Sequence, residues 1–160
     1  MIENEKLKLP QLLLSVFLTV IVGSISGFFT AGEIDTWYAT LEKPALNPPN
    51  WIFGPVWTFL YILIGVALYF YLVTPSSNSK RMGYQFFAIQ LLLNFLWSLF
   101  FFKMQSPLLA LVDIFLLIAA IVVTMFYFGK VRMLAALLMI PYLAWVCFAT
   151  YLNLGILRLN

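Results

Sequence analysis

The chain has no histidine, a single cysteine and few charged side chains, and each shortage excludes a class of protein. Without histidine it lacks the commonest haem and zinc ligand and the commonest general base, so no Ser–His or Cys–His catalytic arrangement can form. Cys147 alone cannot make an internal disulfide, and a lone cysteine is most often a small core residue. Only 9% of the residues are charged, against about a quarter in a soluble domain. The chain cannot cover itself with a polar surface, so lipid must be its solvent over most of its area.

Long apolar runs take the place of charge, and 64% of the residues are hydrophobic. A helix needs about 20 apolar residues to cross the hydrocarbon core of a bilayer. The runs that meet this length are 11–31, 51–73, 84–102, 107–128 and 134–157. Because they are continuous rather than alternating, they predict helices and not the strands of a barrel. We therefore predict an all-α membrane protein, a five-transmembrane-helix bundle that forms a single domain over residues 1–160.

The basic residues predict how the bundle is oriented. One end, with the N-terminus and the second and fourth connections, carries Lys6, Lys8, Lys80, Arg81, Lys130 and Arg132. The other end, with the first and third connections and the C-terminus, carries Lys43, Lys103 and Arg158. Cytoplasmic connections are enriched in Lys and Arg, so we expect the N-terminus in the cytoplasm and the C-terminus outside. The scatter of basic residues over membrane-flanking positions argues against a nucleic-acid partner.

Polar and aromatic residues recur at helical spacing within the spans. The sets are Gln90–Asn94–Trp97–Phe101, Pro141–Trp145–Phe148–Leu152 and Trp57–Tyr61. Spacings of three and four place each set on one helix face, and the sets share the outward half of the membrane. Because polar side chains avoid lipid, these faces should turn inward. They predict a pocket with aromatic walls and a few polar anchors, a form typical of sites for flat, largely apolar ligands.

Several of these residues also have a purely structural interpretation. Asp113 is interpreted as a group that hydrogen-bonds between helices, and Asn94, at the same depth, is its predicted partner. The G-x-x-x-G pattern of Gly23 and Gly27 either forms a dimer face or lets another helix of the same chain approach. Trp37 and Trp51, in or beside the first loop, belong either to the interfacial aromatic belt or to a ligand site.

The connection over residues 32–50 is too long to be a minimal connector. It carries apolar side chains that are costly to leave in water, and prolines that limit its movement. These residues are Trp37, Tyr38, Leu41, Pro44, Pro48 and Pro49. We predict that this loop folds over the outward mouth of the pocket. We predict that it acts as a lid that closes further when ligand binds, with a permanently packed cap as the alternative.

Several spaced motifs resemble the TspO/MBR family, which includes tryptophan-rich sensory proteins of bacteria and the mitochondrial translocator protein. The motifs are Trp37-Tyr38-x-x-Leu41-x-Lys43-Pro44-x-x-x-Pro48-Pro49, Phe53-Gly54-Pro55-Val56-Trp57-Thr58-x-x-Tyr61, Gln90-x-x-x-Asn94-x-x-Trp97, Ala110-Leu111-Val112-Asp113 and Pro141-Tyr142-Leu143-Ala144-Trp145-x-x-Phe148-Ala149-Thr150-x-Leu152-Asn153. The resemblance covers all five spans in order.

The resemblance implies a membrane receptor or sensor, commonly a homodimer, with a role in tetrapyrrole transport or stress regulation, and we expect it in a bacterial cell membrane. It would bind protoporphyrin IX and related tetrapyrroles, and isoquinoline or benzodiazepine-type drugs, under the first loop, with porphyrin as a ligand rather than a cofactor and with no metal site. The family's pocket positions fall on Tyr38, Pro48, Phe53, Trp57, Asn94, Trp97, Trp145, Phe148 and Ala149. The alternative function is enzyme-like, light-dependent degradation of protoporphyrin IX, in which Trp57 and Trp145 would be catalytic residues.

Two departures from the family pattern limit what the resemblance implies. Leu46 stands where many members have a tryptophan two residues after Lys43-Pro44, so one aromatic contact of the loop is in doubt. The sterol motif of animal members is imperfect, because the first basic residue after Tyr151 is Arg158, one position beyond the allowed spacing. High-affinity sterol binding is therefore not expected.

Overall fold

The computed structural model describes residues 7–77 and 79–160, and its regular structure is helical throughout those ranges. Its elements are α1 (Leu9–Ile34), α2 (Trp37–Thr40), α3 (Asn50–Val73), α4 (Arg81–Ser98), a π-helical segment (Leu99–Lys103), α5 (Pro107–Val131), α6 (Met133–Leu137) and α7 (Ile140–Leu159). Lys6, which the orientation argument uses, lies outside the described residues.

In the part of the chain that the structure describes, five helical stretches are long and apolar enough to cross a membrane, which confirms the predicted fold class. They are Leu9–Ile34, Asn50–Val73, Arg81–Lys103, Pro107–Val131 and Met133–Leu159. Every predicted span end lies within three residues of the observed one. Hydropathy determines these ends well, because a backbone in hydrocarbon must satisfy its own hydrogen bonds and does so only as a helix.

Two local features depart from straight helices. The end of the third span winds into a π-helical turn, in which the Met104 N–H donates to the Leu99 carbonyl at 2.9 Å. The prediction that the last span is one continuous helix is wrong. A turn at Leu138–Met139 separates α6 from α7. Pro141 follows this break in the first turn of α7, where its missing N–H costs nothing.

The densest part of the core lies at the end of the bundle away from the first loop. Helix α1 packs on α3, while α5 contacts α4, α6 and α7. Phe128 of α5, which is fully buried, stacks on Tyr71 of α3 with ring centroids 4.1 Å apart. The ring of Phe87 in α4 stacks on the Phe128 ring, with centroids 5.6 Å apart. These rings tie three spans together at this end, which we call the inner end.

The second and fourth connections meet at the inner end, as the orientation argument requires. The Lys80 ammonium donates to the carbonyls of Tyr71 (2.7 Å) and Leu72 (3.1 Å), which the end of α3 leaves unpaired. The Arg132 guanidinium lies 4.5 Å from the centre of the Phe70 ring. Two basic residues from different connections thus close the last turn of α3.

The structure supports one of the two interpretations of the G-x-x-x-G pattern at Gly23 and corrects one expectation. A Cβ atom on Gly23 would lie 2.9 Å from Cγ of Tyr61, so this glycine permits α1 to approach α3 of the same chain. Gly27 has no atom within 4 Å of such a Cβ and makes no helix contact there. Cys147, expected in the core, is exposed on α7, because the buried face of that helix passes through Val146 and Ala149.

A cavity beneath the first loop

A cavity of about 350 Å³ occupies the other half of the bundle, which we call the outer half. It lies between α1, α3, α4 and α7, with the π-helical segment and α2 at its outer end. Its volume falls in the range of roughly 300–1,000 Å³ that is usual for small-molecule sites. Among the described residues no charged side chain lines it, so it can hold a ligand by shape, ring contact and neutral hydrogen bonds.

Aromatic side chains from three helices form its walls. Trp57 of α3 lies against Tyr61 one turn below it, with centroids 5.7 Å apart. Trp97 of α4 stacks on Phe101 of the π-helical segment at 5.2 Å and an interplanar angle of 16°. Phe53 of α3 meets Trp145 of α7 edge to face at 6.1 Å. Because these rings brace one another, the walls are rigid surfaces for a flat ligand.

A hydrogen-bonded chain of polar side chains closes the floor. The Tyr61 hydroxyl donates to Asn94 Oδ1, and Asn94 Nδ2 donates to the Tyr142 hydroxyl at 3.0 Å. That hydroxyl in turn donates to Gln90 Oε1 at 2.9 Å. Tyr61 and Asn94 line the cavity, and the other two lie behind them. The chain joins α3, α4 and α7, so it fixes the floor by pairing groups that lipid could not satisfy.

Within residues 7–77 and 79–160, three buried side-chain polar atoms have no hydrogen-bond partner, namely Trp145 Nε1, Gln90 Nε2 and Asp113 Oδ2. Trp145 lines the cavity, and its indole nitrogen is buried without a protein acceptor. The predicted bond between Asn94 and Asp113 is not made, because Asn94 uses its amide on Tyr61 and Tyr142 instead. Equal depth along two helices did not imply facing side chains.

The first loop forms the roof. Tyr38 of α2 is only 5% exposed, lies near Phe101 and Phe102, and lines the cavity. Its hydroxyl donates to Asn47 Oδ1 at 2.9 Å. Burial raises the pKa of the Tyr38 phenol above its ordinary value, and the Asn47 bond opposes that shift. Tyr38 therefore stays neutral at physiological pH and can donate a hydrogen bond.

Seven of the nine predicted ligand positions line this cavity: Tyr38, Phe53, Trp57, Asn94, Trp97, Trp145 and Ala149. Pro48 and Phe148 are not among the lining residues. Pro48 lies in the loop, where its carbonyl accepts from Asn47 Nδ2 at 3.1 Å. Phe148 stacks on Tyr151 at 6.1 Å along the outer flank of α7. Trp37 packs on Phe101 and Trp51 is 74% exposed, so neither tryptophan lines the cavity.

The buried stripe of α7 includes Leu152 as predicted, but its other members are displaced by about one residue from the predicted ones. Its buried residues are Tyr142, Val146, Ala149, Leu152, Asn153 and Ile156. Pro141 is exposed, and Trp145 and Phe148 lie on the edges of the stripe. Trp145 still reaches the cavity because its side chain is long. Large rings suggested the wrong centre, because small residues such as Ala149 are what allow α7 to pack closely.

The wall contributed by α1 was missed. Gly23, Ser26, Gly27, Thr30 and Ile34 line the cavity, and their spacing of three and four residues is that of one helix face. That spacing was readable in the sequence, but short side chains carry no aromatic or charged signal. Asn153 was also missed. With its amide nitrogen turned toward α5, it donates to the Pro107 carbonyl (3.0 Å) and accepts from the Leu111 N–H (3.1 Å).

No group of three or more His, Cys, Asp or Glu side chains converges as a possible metal site among residues 7–77 and 79–160. The described cavity offers aromatic surfaces on which a flat ligand can stack, and a polar floor. Tryptophan and tyrosine rings are also the redox-active side chains of its lining.

Comparison with known proteins agrees with these features. The TspO/MBR family profile matches residues 15–159. The Tryptophan-rich protein TspO of Archaeoglobus fulgidus is 46% identical over 150 residues, covering 94% of this chain and 97% of that protein. The protein of the same name from Chlorobaculum tepidum is 50% identical over 150 residues, covering 93% and 95%. The human Translocator protein is 37% identical over 134 residues, covering 82% and 79%. With five spans, a tryptophan-walled cavity and this similarity along nearly its whole length, the chain belongs to the TspO/MBR family.

Proposed function

We propose that this chain is a membrane receptor or sensor that binds porphyrins, protoporphyrin IX and related tetrapyrroles, in the cavity under the first loop. Membership of the TspO/MBR family supports the receptor or sensor role. The observation that carries the choice of ligand is the uncharged cavity of about 350 Å³ walled by Trp57, Trp97 and Trp145. Isoquinoline and benzodiazepine-type compounds, which are also flat and largely apolar, would occupy the same space.

The distribution of polar groups supports a porphyrin rather than a purely aliphatic ligand. A tetrapyrrole has a flat aromatic ring, which stacks on indole faces. Its propionates need a polar rim. Lys43 would supply a cation for them at the roof, where its ammonium lies 4.7 Å from the Tyr38 ring and donates to the Leu41 carbonyl at 3.1 Å.

The test is ligand identification after purification without added porphyrin, followed by titration with protoporphyrin IX in nanodiscs. We expect saturable binding with a shifted Soret band, and competition by an isoquinoline carboxamide. A linear, non-saturable signal equal to that of empty nanodiscs would contradict the proposal, because it would show partition into lipid alone.

A second candidate is light-dependent degradation of protoporphyrin IX, with Trp57 and Trp145 as the catalytic residues. It is favoured by the lining itself, since both indoles border the cavity and Trp57 also contacts the rings of Tyr61 and Tyr142. Such rings can supply electrons to a light-excited porphyrin, with dioxygen as the oxidant. Product spectra in light and in darkness, for the wild type and for Trp57→Phe and Trp145→Phe, separate the two functions. Loss of porphyrin at equal rates in wild type and variants would exclude an enzymatic role.

We also propose that the protein forms a homodimer in a bacterial cell membrane. Helix α1 supports the dimer, because it is the least buried of the spans and presents Leu13, Leu14 and Phe17 on its surface. Native mass spectrometry from nanodiscs would report the subunit number. A mass of one chain at every protein concentration would contradict the proposed dimer.

A further inference from the structure

The roof of the cavity is fastened at both ends. The Asn160 side chain accepts from the Glu42 N–H at 3.0 Å and donates to the Glu42 carbonyl at 3.1 Å. Pro44 lies so close to α7 that a Cβ atom on Gly155 would come within 2.7 Å of it. Tyr38 seals the other end of the loop at 5% exposure. The aqueous side of the cavity is therefore closed by contacts that a ligand would have to break.

The side of the cavity between α1 and α3 is built differently. Near the inner end the two helices touch: the Thr19 hydroxyl donates to the Tyr61 carbonyl at 2.7 Å, and a Cβ on Gly65 would lie 2.6 Å from Val16 Cα. Toward the outer end they separate. Gly27 and Gly54 both line the cavity and are exposed, and a Cβ at either position would meet no atom within 4 Å. The cavity lining thus reaches exposed positions on both spans, and we call the space between them the gap.

The polar groups at this gap are already paired within their own helices. The Ser24 hydroxyl donates to the Val20 carbonyl, and the Thr58 hydroxyl donates to the Gly54 carbonyl, each at 2.9 Å. Both side chains are exposed, and hydrocarbon offers a free hydroxyl no partner. Because each donor returns to the carbonyl four residues earlier, the rim presents an apolar surface to lipid. An amphipathic ligand can cross such a rim without stripping a donor of its partner.

We propose that the ligand reaches the cavity sideways from the bilayer, through the gap between α1 and α3. The rim of this passage is formed by Ser24, Gly27, Ala31, Gly54 and Thr58. The inference rests on the proposed function, since porphyrins are flat, largely apolar molecules that dissolve in membranes. It gives the first loop the role of a fixed roof and gives the two glycines the role of keeping the passage open.

The test is to narrow the passage and measure both rate constants for protoporphyrin IX in nanodiscs by stopped flow. A gate alters association and dissociation together, whereas a residue that crowds the site itself mainly speeds dissociation. For Gly27→Phe and Gly54→Phe we expect both rates to fall about tenfold. The matched control is Gly32→Phe in α1, because a Cβ at this position also meets no atom within 4 Å and Gly32 does not line the cavity. We expect both rate constants of this control to stay within about twofold of wild type. Unchanged association in both rim variants, or equal slowing in the control, would overturn the lateral route.

A second experiment crosslinks the roof and leaves the passage between α1 and α3 unchanged. Glu42→Cys and Asn160→Cys, in a Cys147→Ser background, are joined by a short bifunctional maleimide, which locks the contact seen between these residues. We expect the association rate of the joined protein to stay within about twofold of its unjoined form. Loss of association on joining would show that the ligand passes the loop. Absence of saturable binding in wild type would refute the proposed function and this inference with it, whereas wild-type binding with unaltered rim variants would refute the route alone.

Discussion

At the scale of single residues, the tryptophans divide into those that face the cavity and those that do not. Trp57, Trp97 and Trp145 line it, while Trp37 packs in the loop and Trp51 points outward. Composition cannot make this division, because all five are the same residue type. It depends on which helix face each one occupies.

The cavity tryptophans should dominate ligand affinity. We expect Trp57→Ala and Trp145→Ala each to weaken protoporphyrin IX binding by about 2 kcal/mol or more, roughly thirtyfold in Kd, because a buried aromatic anchor is lost. Titration of the Soret band gives Kd, and far-UV circular dichroism checks the helices. Trp51→Ala is the matched control, being 74% exposed and outside the lining. Wild-type affinity in both cavity variants would refute the assignment of the pocket.

We expect the polar floor of the cavity to contribute more to the stability of the fold than to ligand affinity. Tyr142→Phe removes the hydroxyl that accepts from Asn94 and donates to Gln90, so two buried groups lose their partner at once. We expect the free energy of unfolding to fall by about 1–3 kcal/mol. Thermal unfolding in micelles measures this, with Tyr151→Phe as a control on an exposed ring of the same helix. Equal transition temperatures for the two variants would show that the chain of hydrogen bonds contributes nothing.

At the scale of elements, hydropathy predicts the spans and says little about their faces. The ends of all five were within three residues of the structure, since hydrocarbon thickness sets helix length. The face of α4 was also right, with Gln90 and Asn94 buried, because polar groups cannot remain in lipid. The face of α7 was shifted, and the wall from α1 was overlooked, because close packing there depends on small side chains.

The sequence predicted that the first loop is a moving lid, with a fixed cap as the alternative. The contacts of Tyr38 with Asn47 and of Asn160 with Glu42 favour the cap. We expect hydrogen exchange over residues 41–49 to be nearly the same with and without saturating protoporphyrin IX. The reason is that the loop is already packed before ligand arrives. Mass spectrometry of exchanged peptides measures this, and strong added protection on binding would show a lid that closes further.

At the scale of the whole molecule, the absence of histidine should make metal-free porphyrin the better ligand. Iron would need Met, Tyr or Cys as its axial ligand. Cys147 is exposed on α7, and of these residue types only Tyr38 and Tyr61 appear in the described lining. We expect protoporphyrin IX to bind at least as tightly as haem. Absorbance titrations compare the two, and a tight, low-spin, six-coordinate haem spectrum would contradict this.

The orientation of the bundle is a separate prediction for the whole molecule. The basic residues place the second connection in the cytoplasm and the first loop outside. In a Cys147→Ser background, we expect an impermeant maleimide added to whole cells to label Ala45→Cys and to leave Ser79→Cys unlabelled. The two positions lie in the first and second connections. The opposite labelling pattern would reverse the predicted topology.

The sequence by itself determined that lipid surrounds most of the protein, how many spans it has and where those spans end. These follow from local quantities: the charge content, the length of each apolar run and the cost of an unpaired backbone group in lipid. It also placed Trp57, Asn94, Trp97 and Trp145 among the candidates, because polar and aromatic groups carry a signal at helical spacing.

Only the tertiary structure decided where α1 and α3 touch and where they part. Gly23 and Gly27 are the same residue type one helical turn apart, yet Gly23 packs against Tyr61 and Gly27 borders open space. In the same way, only the packed bundle gave Asn94 two tyrosine partners in place of Asp113. Which neighbour a side chain meets depends on the relative rotation and separation of helices distant in sequence. No local pattern records these, and they determine the shape of the cavity and its openings.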